Sequence, residues 1–365
     1  MRVRLEDVCE KESSKLKQSD VIDQNGLYPV YGASGYLGNI NTYQQSNYYI
    51  AVVKDGAGIG RTMLLPPESS IIGTMQYLIP KDNVLPEYLY YVVKAKHLEK
   101  YFSGATIPHI YFKDYKNEQF DLVSFEEQRV IINRLKKIEI IIDNLSKNLL
   151  LLDELVRARF VEMFGDPVTN DMLWNTDVLK DICTKIGSGS TPRGGKESYI
   201  DEGISLIRSM NVHNAYFEYK DLAHITLDQA EKLNNVVVEH DDLLFNITGA
   251  SVARCCVVPS DVLPARVNQH VCILRCREKI NPIFLQELLV NENCQGKLLQ
   301  IAKSGATREA INKQQLESLE IMLPPLELQN QFASFVEEID KSRLRELLAI
   351  KQIKLLLNDS WLLFY

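Results

Sequence analysis

The sequence predicts an α+β protein in which two duplicated α/β globules are joined by two long antiparallel coiled-coil helices, giving a pseudo-two-fold. Three observations predict it: a heptad run within residues 124–164, a weaker copy of that run 201 residues later, and short motifs that recur in the stretches before each run. The expected boundaries are 1–123 for the first globule, 124–165 for the first helix, 166–324 for the second globule and 325–365 for the second helix.

In the first run Ile131, Leu135, Ile138, Ile142, Leu145, Leu149, Leu152 and Val156 recur at alternating spacings of four and three, which is the a/d seam of a coiled coil. No Pro or Gly interrupts the stretch from Ser124 to Phe164, and Gly165 and Pro167 follow as stop signals. Some 40 residues at about 1.5 Å each make a rod of roughly 60 Å, far longer than an average packed helix. Such a rod needs a partner. A shift of 201 lays Glu126, Gln128, Ile131, Leu135, Ile138 and Phe160 onto Glu327, Gln329, Phe332, Val336, Ile339 and Trp361, which predicts a second rod from Pro325 to Phe364. Arg343 and Glu346 fall where Ile142 and Leu145 sit, so the apolar stripe is expected to step through Leu344, Leu347 and Ile350, a stutter-like departure from the heptad. A bundle core helix is the plainer reading of either stripe, but a repeated pair of capless 40-residue runs favours the coiled coil.

Strand signals dominate before each rod. Leu27–Val30, Tyr48–Lys54, Thr62–Leu65 and Tyr77–Ile79 precede a helical patch at Pro86–Tyr101. Ser205–Arg208, Val236–Glu239, Asp242–Ile247, Cys255–Val258 and Val271–Arg275 precede one at Pro282–Ile301. The two stretches also share motifs. Leu5-Glu6-Asp7-Val8-Cys9-Glu10-Lys11 matches Leu179-Lys180-Asp181-Ile182-Cys183-Thr184-Lys185. Gly56-Ala57-Gly58-Ile59-Gly60-Arg61 matches Gly249-Ala250-Ser251-Val252-Ala253-Arg254, and at the same shift of 193 Gln76 meets Gln269. Gly104-Ala105-Thr106 meets Gly305-Ala306-Thr307 at a shift of 201. The growing shift marks insertions in the second copy of a tandem duplication.

Composition limits the chemistry. At 45% hydrophobic and 24% charged, the 365 residues suit two or three folded domains rather than a disordered chain. The amino terminus has no apolar leader pattern and no stretch of 18 apolar residues occurs, so a cytoplasmic protein without membrane association is expected. Seven cysteines without a C-x-x-C pair read as buried free thiols. Six histidines show no metal-ligand spacing, so neither a metal nor a cofactor is expected. Gly56–Arg61 lacks the lysine and following helix of a phosphate-binding loop and reads as a hairpin turn. Neither double proline, Pro66-Pro67 or Pro324-Pro325, sits in the Asp/Asn-Pro-Pro-aromatic setting of a base-flipping amino-methyltransferase. The net charge of −7 is spread without a basic segment, so any DNA-binding surface must be gathered by folding or completed by a partner.

The order globule, helix, globule, helix, the passage Ile321–Gln331 leading into the second rod, its weaker counterpart Leu122–Gln128, and the exit Arg159-Phe160-Val161-Glu162-Met163-Phe164-Gly165-Asp166-Pro167 together resemble the specificity subunit of type I restriction-modification systems across essentially the whole chain. The first copy departs in having Val123-Ser124 in place of the double proline. The resemblance implies that each globule is a target recognition domain reading half of a bipartite site in double-stranded DNA, with the coiled coil setting the spacing. It also implies a non-catalytic subunit that binds no S-adenosylmethionine and assembles with two methyltransferase subunits and with restriction/translocase subunits. The rival class is a coiled-coil interaction scaffold without a DNA role.

Bases are read by polar side chains and phosphates by cations, hydroxyls and amides, so polar residues on Gly-rich loops are the candidates for DNA binding. In the first globule these are Tyr31, Ser34, Lys54, Arg61, Thr74, Gln76, Thr106, His109 and Lys113. In the second they are Ser188, Ser190, Thr191, Arg193, Arg208, Asn246, Thr248, Arg254, Asn268, Gln269, Thr307, Arg308 and Lys313. The pairs Arg61 with Arg254, Gln76 with Gln269 and Thr106 with Thr307 are singled out because duplication would use one role twice.

Overall fold

The computed structural model describes residues 1–22, 25–104, 108–192, 194–303 and 309–361. It divides into two compact units, Met1–Ser146 with Leu347–Tyr365, and Lys147–Glu346.

In unit one, β1 (Arg2–Arg4) pairs antiparallel with β9 (Gln119–Asp121), and a single-turn helix α1 (Leu5–Val8) leads into β2 (Cys9–Ser13). The hairpin of β3 (Tyr28–Gly32) and β4 (Gly35–Ile40) takes β7 (Ser70–Ile71) parallel to β3. The main sheet is antiparallel, in the order β2-β8-β5-β6, with β5 at Tyr49–Val53, β6 at Thr62–Leu65 and β8 at Met75–Pro80. All five residues of β5 are buried because both faces are covered. Ile50 and Val52 pack with α2 (Pro86–Ala95), whereas Tyr49, Ala51 and Val53 pack with Ile71 and Tyr77 on the other side. Pro86 opens α2, where its fixed φ suits the first helical position. The helical patch expected to reach Tyr101 stops at Ala95, since His97 adopts φ +49°, and a 3₁₀ turn at Leu98–Tyr101 replaces its end. α3 (Phe112–Tyr115) completes the globular part, and α4 (Phe125–Phe164) begins here.

Unit two repeats this plan. β10 (Thr176–Val178) pairs with β21 (Glu320–Met322), α5 (Leu179–Ile182) leads into β11 (Cys183–Ser188), and the main sheet runs β11-β20-β17-β18. Here β17 is Leu243–Asn246, β18 is Cys255–Val257 and β20 is Val271–Cys276. A larger second sheet combines β12 (Ile204–Ile207), β15 (Ala223–Ile225), β16 (Val237–Val238) and β19 (Ala265–Val267), with β12 parallel to β19. The hairpin of β13 (Val212–His213) and β14 (Tyr216–Phe217) and a short helix α6 (Leu227–Glu231) account for the insertions. The single helix expected over Pro282–Ile301 is two, α7 (Pro282–Val290) and α8 (Glu292–Lys303), with Asn291 accepting from the Asn293 amide at the break. α9 (Lys313–Glu317) precedes β21, and α10 (Leu326–Trp361) follows it.

The rods pair antiparallel. In unit two Phe332 meets Phe160, Arg343 meets Asp153 and Glu346 meets Asn148; in unit one Leu357 joins the core that holds Leu135. Every expected seam residue of α4 from Ile131 to Val156 is buried or half-buried. The expected detour in α10 does not occur. Leu344 and Leu347 are 58% and 53% exposed, whereas Arg343 and Glu346 are half-buried in the seam. The heptad continues without a stutter through a polar layer. Nor is α4 capless: Ser124 and Glu127 form a reciprocal capping box, with the Ser124 amide 3.1 Å from the Glu127 carboxylate.

Six of the seven cysteines are buried free thiols and Cys276 is half-buried; burial pushes Cys9 up to about 12. Among the described residues no group of side chains could hold a metal, and no helix is long and apolar enough to cross a membrane.

Candidate nucleic-acid interface

The duplication is sharpest at one set of loops. Hairpin β5–β6 closes with the Val53 amide on the Arg61 carbonyl and the Gly60 amide on the Val53 carbonyl, both 2.9 Å. Hairpin β17–β18 closes with the Asn246 amide on Arg254 and the Ala253 amide on Asn246, both 2.8 Å. Gly56 and Gly249 have positive φ, and so do Gly60 and Ala253, so Arg61 and Arg254 are structural equivalents at the shift of 193. Two further segments dock against the loop in each unit. The Lys54 amide meets the Thr74 carbonyl as that of Ile247 meets His270, and the Ile110 amide meets Lys54 as that of Ile311 meets Ile247.

These bonds correct one equivalence. Pro80 pairs with Cys9 and Cys276 with Cys183, so β8 and β20 match at a shift of 196, not 193. Gln76 is therefore equivalent to Cys272, and Thr74 to His270. Gln76 is buried against the Tyr115 hydroxyl and braces the core rather than facing a ligand. Asn246 and Asn268 are likewise buried; the amide of Asn246 donates to the Ser209 carbonyl at 2.9 Å, and the carbonyl of Asn268 accepts from the His270 amide at 3.0 Å. All three are scaffold.

In unit one the loops present Thr74, Lys54, Arg61, His109 and Lys113 together with the β3–β4 turn. His109 Nδ1 lies 2.6 Å from Asp55 Oδ1, whose other oxygen is 3.4 Å from Lys54 Nζ. The imidazole stacks on Tyr111, with centroids 6.4 Å apart, and the Lys113 ammonium sits 5.3 Å from the same ring. Arg61 Nη1 donates to the Ala33 carbonyl at 2.7 Å, which ties the loop to the turn holding Tyr31 and exposed Ser34. In unit two Thr248 Oγ1 lies 2.5 Å from His270 Nδ1, His270 Nε2 lies 3.1 Å from Gln269 Nε2, and the Thr191 hydroxyl donates to Gln269 Oε1. Ser188 and Ser190 flank Gly189, whose amide meets the Asn268 carbonyl at 3.1 Å; a Cβ there would fall 1.8 Å from the Val267 oxygen. Arg254 Nη1 is 3.3 Å from His213 Nδ1, and His213 stacks on exposed Tyr216 at 4.6 Å.

Arg208 follows Ile207, whose carbonyl accepts from the Asn268 amide at 3.0 Å, but its side chain has other partners. It donates to the Asp221 carbonyl and covers the Tyr199 ring at 5.4 Å. Lys313 is exposed at the start of α9, 3.5 Å from Glu317. Thr106, Arg193, Thr307 and Arg308 lie outside the described residues, so the Thr106–Thr307 pairing does too. Four residues at the loops escape sequence reasoning: Asp55, Tyr111, His213 and Tyr216. The first two are legible as neighbours of Gly56 and His109; nothing local marks the β13–β14 hairpin as a wall of the Arg254 loop.

Each face thus combines one arginine, one or more imidazoles, a flat aromatic ring and hydroxyls, on loops fixed by backbone hydrogen bonds. Such a surface can meet phosphates and present donors and acceptors to base edges.

Comparison with known proteins agrees with that chemistry. The profile of the type I restriction modification DNA specificity domain matches residues 1–151 and 172–355. The specificity subunit of the type I restriction enzyme MjaIX of Methanocaldococcus jannaschii is 24% identical over 307 residues, covering 76% of this chain and 68% of that protein. A putative MjaX specificity subunit of the same organism is 25% identical over 170 residues, 46% of this chain and 39% of the relative. In fold, the chain resembles the S subunit of a type I restriction-modification system from M. genitalium, with TM-score 0.61, 14% identity and coverage of 100% and 96%. A chain from a study of assembly and conformational transition of the type I system gives TM-score 0.59 at 16% identity, with coverage of 99% and 96%.

Proposed function

The chain belongs to the type I restriction-modification DNA specificity family, and on that premise we propose that its two loop faces each read one half of a bipartite duplex site. It is a DNA-recognition specificity subunit, the component of a type I system that works with methyltransferase and restriction subunits on DNA. The finer reading has residues 1–123 and 166–324 as recognition domains and 124–165 and 325–365 as spacer helices. The subunit performs no chemistry itself, and its duplicated plan offers equivalent seats to two methyltransferase copies.

The observation that carries this reading is the repeated loop scaffold: the same backbone hydrogen bonds hold Arg61 in one unit and Arg254 in the other, while the side chains around them differ. A shared frame with different polar side chains suits two half-sites of different sequence.

The test is the methylated motif in a host expressing this chain with its methyltransferase subunits. A bipartite motif with an unspecified spacer is expected; a contiguous motif, or no binding to any duplex with the methyltransferase present, overturns the reading. Inserting one heptad into each rod at facing levels lengthens the pair by about 10 Å. At about 3.4 Å per base pair the spacer should grow by about 3 bp while the bases at both ends stay the same. An unchanged spacer would separate the helices from the spacing role.

A further inference from the structure

Unit two carries a cleft of about 500 Å³ along β11, the edge strand of its main sheet, lined by Lys180, Thr184, Lys185, Asn235, Arg277 and Lys313. Glu317 is the one carboxylate among its lining residues and is 3.5 Å from Lys313. Lys180, Lys185 and Arg277 have no ion-pair partner among the described residues. This gathering of cations runs against the composition of residues 166–324, which carry 16 basic and 21 acidic side chains. Lys185 is half-buried, and desolvation, followed by the nearby Arg275, lowers its pKa, so an anion beside it would relieve an existing penalty.

The first unit neutralises the same place. At the shift of 174 that aligns Cys9 with Cys183, Lys180 corresponds to Glu6; the bulge after Cys183 then sets Lys185 opposite Arg275, where the first unit has Glu10 opposite Ile79. Glu6 takes the Lys116 ammonium at 2.8 Å, and its carbonyl accepts from Lys81, the counterpart of Arg277, at 2.9 Å. The cleft has no aromatic wall on which a base could stack, so its chemistry is that of a phosphate site. It is also continuous with the loop face: Ile186 and Gly187 line it, and the same strand runs on to Ser188. Three strand residues span roughly 10 Å, about three base-pair steps.

We propose that this cleft seats backbone phosphates of the duplex a few steps outside the second half-site, an interaction with no counterpart in the first unit. The inference rests on the DNA-reading function above.

The test uses the complex with its methyltransferase subunits and two duplexes, one bearing the methylated motif and one scrambled. Affinity is measured by fluorescence anisotropy from 50 to 200 mM salt, with melting curves confirming that each variant is folded. Lys180→Gln combined with Arg277→Gln, both exposed positions, and Lys185→Gln alone should each weaken binding to both duplexes alike. The slope of log affinity against log salt should shrink by about 1 for each phosphate that is no longer neutralised, with the methylated motif unchanged. A slope unchanged in both variants overturns the cleft while leaving the proposed function intact. So does a weakening confined to the motif-bearing duplex, which would mean base reading. Wild-type complex that binds neither duplex removes the proposed function and the cleft together.

Discussion

Tyr91 and Glu287 hold the same place in the two units, and their chemistry is opposite. α2 and α7 both open on a proline, and these are the sixth residues of each; the rod residues that correspond at the shift of 201 are Glu139 and Asp340. In unit one the Tyr91 hydroxyl donates to Glu139 at 2.8 Å, and the Lys94 ammonium donates to its other oxygen at 2.9 Å. In unit two Glu287 is buried, with Gln286 donating to it at 2.8 Å; burial raises its pKa to about 7, Asp340 and Asp153 add to the rise, and Arg343 opposes it. Duplication has kept the joint between helix and rod while exchanging a neutral donor for an acid. One joint is therefore indifferent to proton concentration near neutrality, and the other is not.

The largest expected effect follows from Glu287. Its folded pKa lies above the ordinary 4.5, so its contribution is fully present below pH 4.5 and is lost as pH rises through about 7. Stability of unit two should fall by on the order of 3 kcal/mol across that window. Urea unfolding in steps from pH 5 to 8 reads this directly, and Glu287→Gln should flatten the dependence; an equal slope in the variant would break the contrast. Arg343→Leu removes the cation that holds the Glu287 pKa down, so in the same titration the pH-dependent fall in stability should move to higher pH. Tyr91→Phe should destabilise unit one by about 1 kcal/mol, through the missing hydrogen bond, with no pH slope between 5 and 8. The smallest effects belong to the loop arginines. Arg61→Ala and Arg254→Ala should each reduce the salt slope of DNA binding by about 1, the first through one half-site and the second through the other. Salt titrations on duplexes in which one half-site is scrambled separate them.

Periodic features are legible in the sequence because they are enforced many times over. The α4 seam is repeated at eight positions from Ile131 to Val156, and the longer central strands such as β5 and β17 are apolar runs, so the heptad and the strands named from the sequence emerge within a residue or two, whereas the edge strands β2 and β11 and the short strands such as β1, β9, β10 and β21 do not. What else escapes depends on single events. An extra three residues between the β17–β18 loop and β20 displace the match of Gln76 from Cys272 to Gln269. One asparagine at 291 divides a helix, and Ser124 with Glu127 supplies a cap that the pattern Ser-Phe-Glu-Glu already spells. Charge alone argues that Arg343 and Glu346 leave the seam, yet Asp153 and Asn148 meet them there, at 2.7 Å and 3.2 Å. At the interface, loop position is legible and burial is not: Gln76, Asn246 and Asn268 have the right chemistry for reading bases and serve the scaffold instead.

The left-handed residue that closes each arginine loop limits which segments could be exchanged between the copies. At Gly60 an added methyl would stand 2.6 Å from the Glu99 amide nitrogen and 3.1 Å from its Cα, both backbone atoms of the 3₁₀ turn after α2. At the equivalent place the second copy already carries a methyl, on Ala253 at φ +70°. A graft of residues 56–61 into the second copy meets no steric objection at this position and replaces a strained alanine with the residue that tolerates positive φ. The reverse graft drives the Ala253 methyl into the Glu99 main chain. Recombination between the two halves is therefore directional at this loop: the first can donate its turn to the second, but it cannot accept one in return without first reshaping the segment at Leu98–Tyr101.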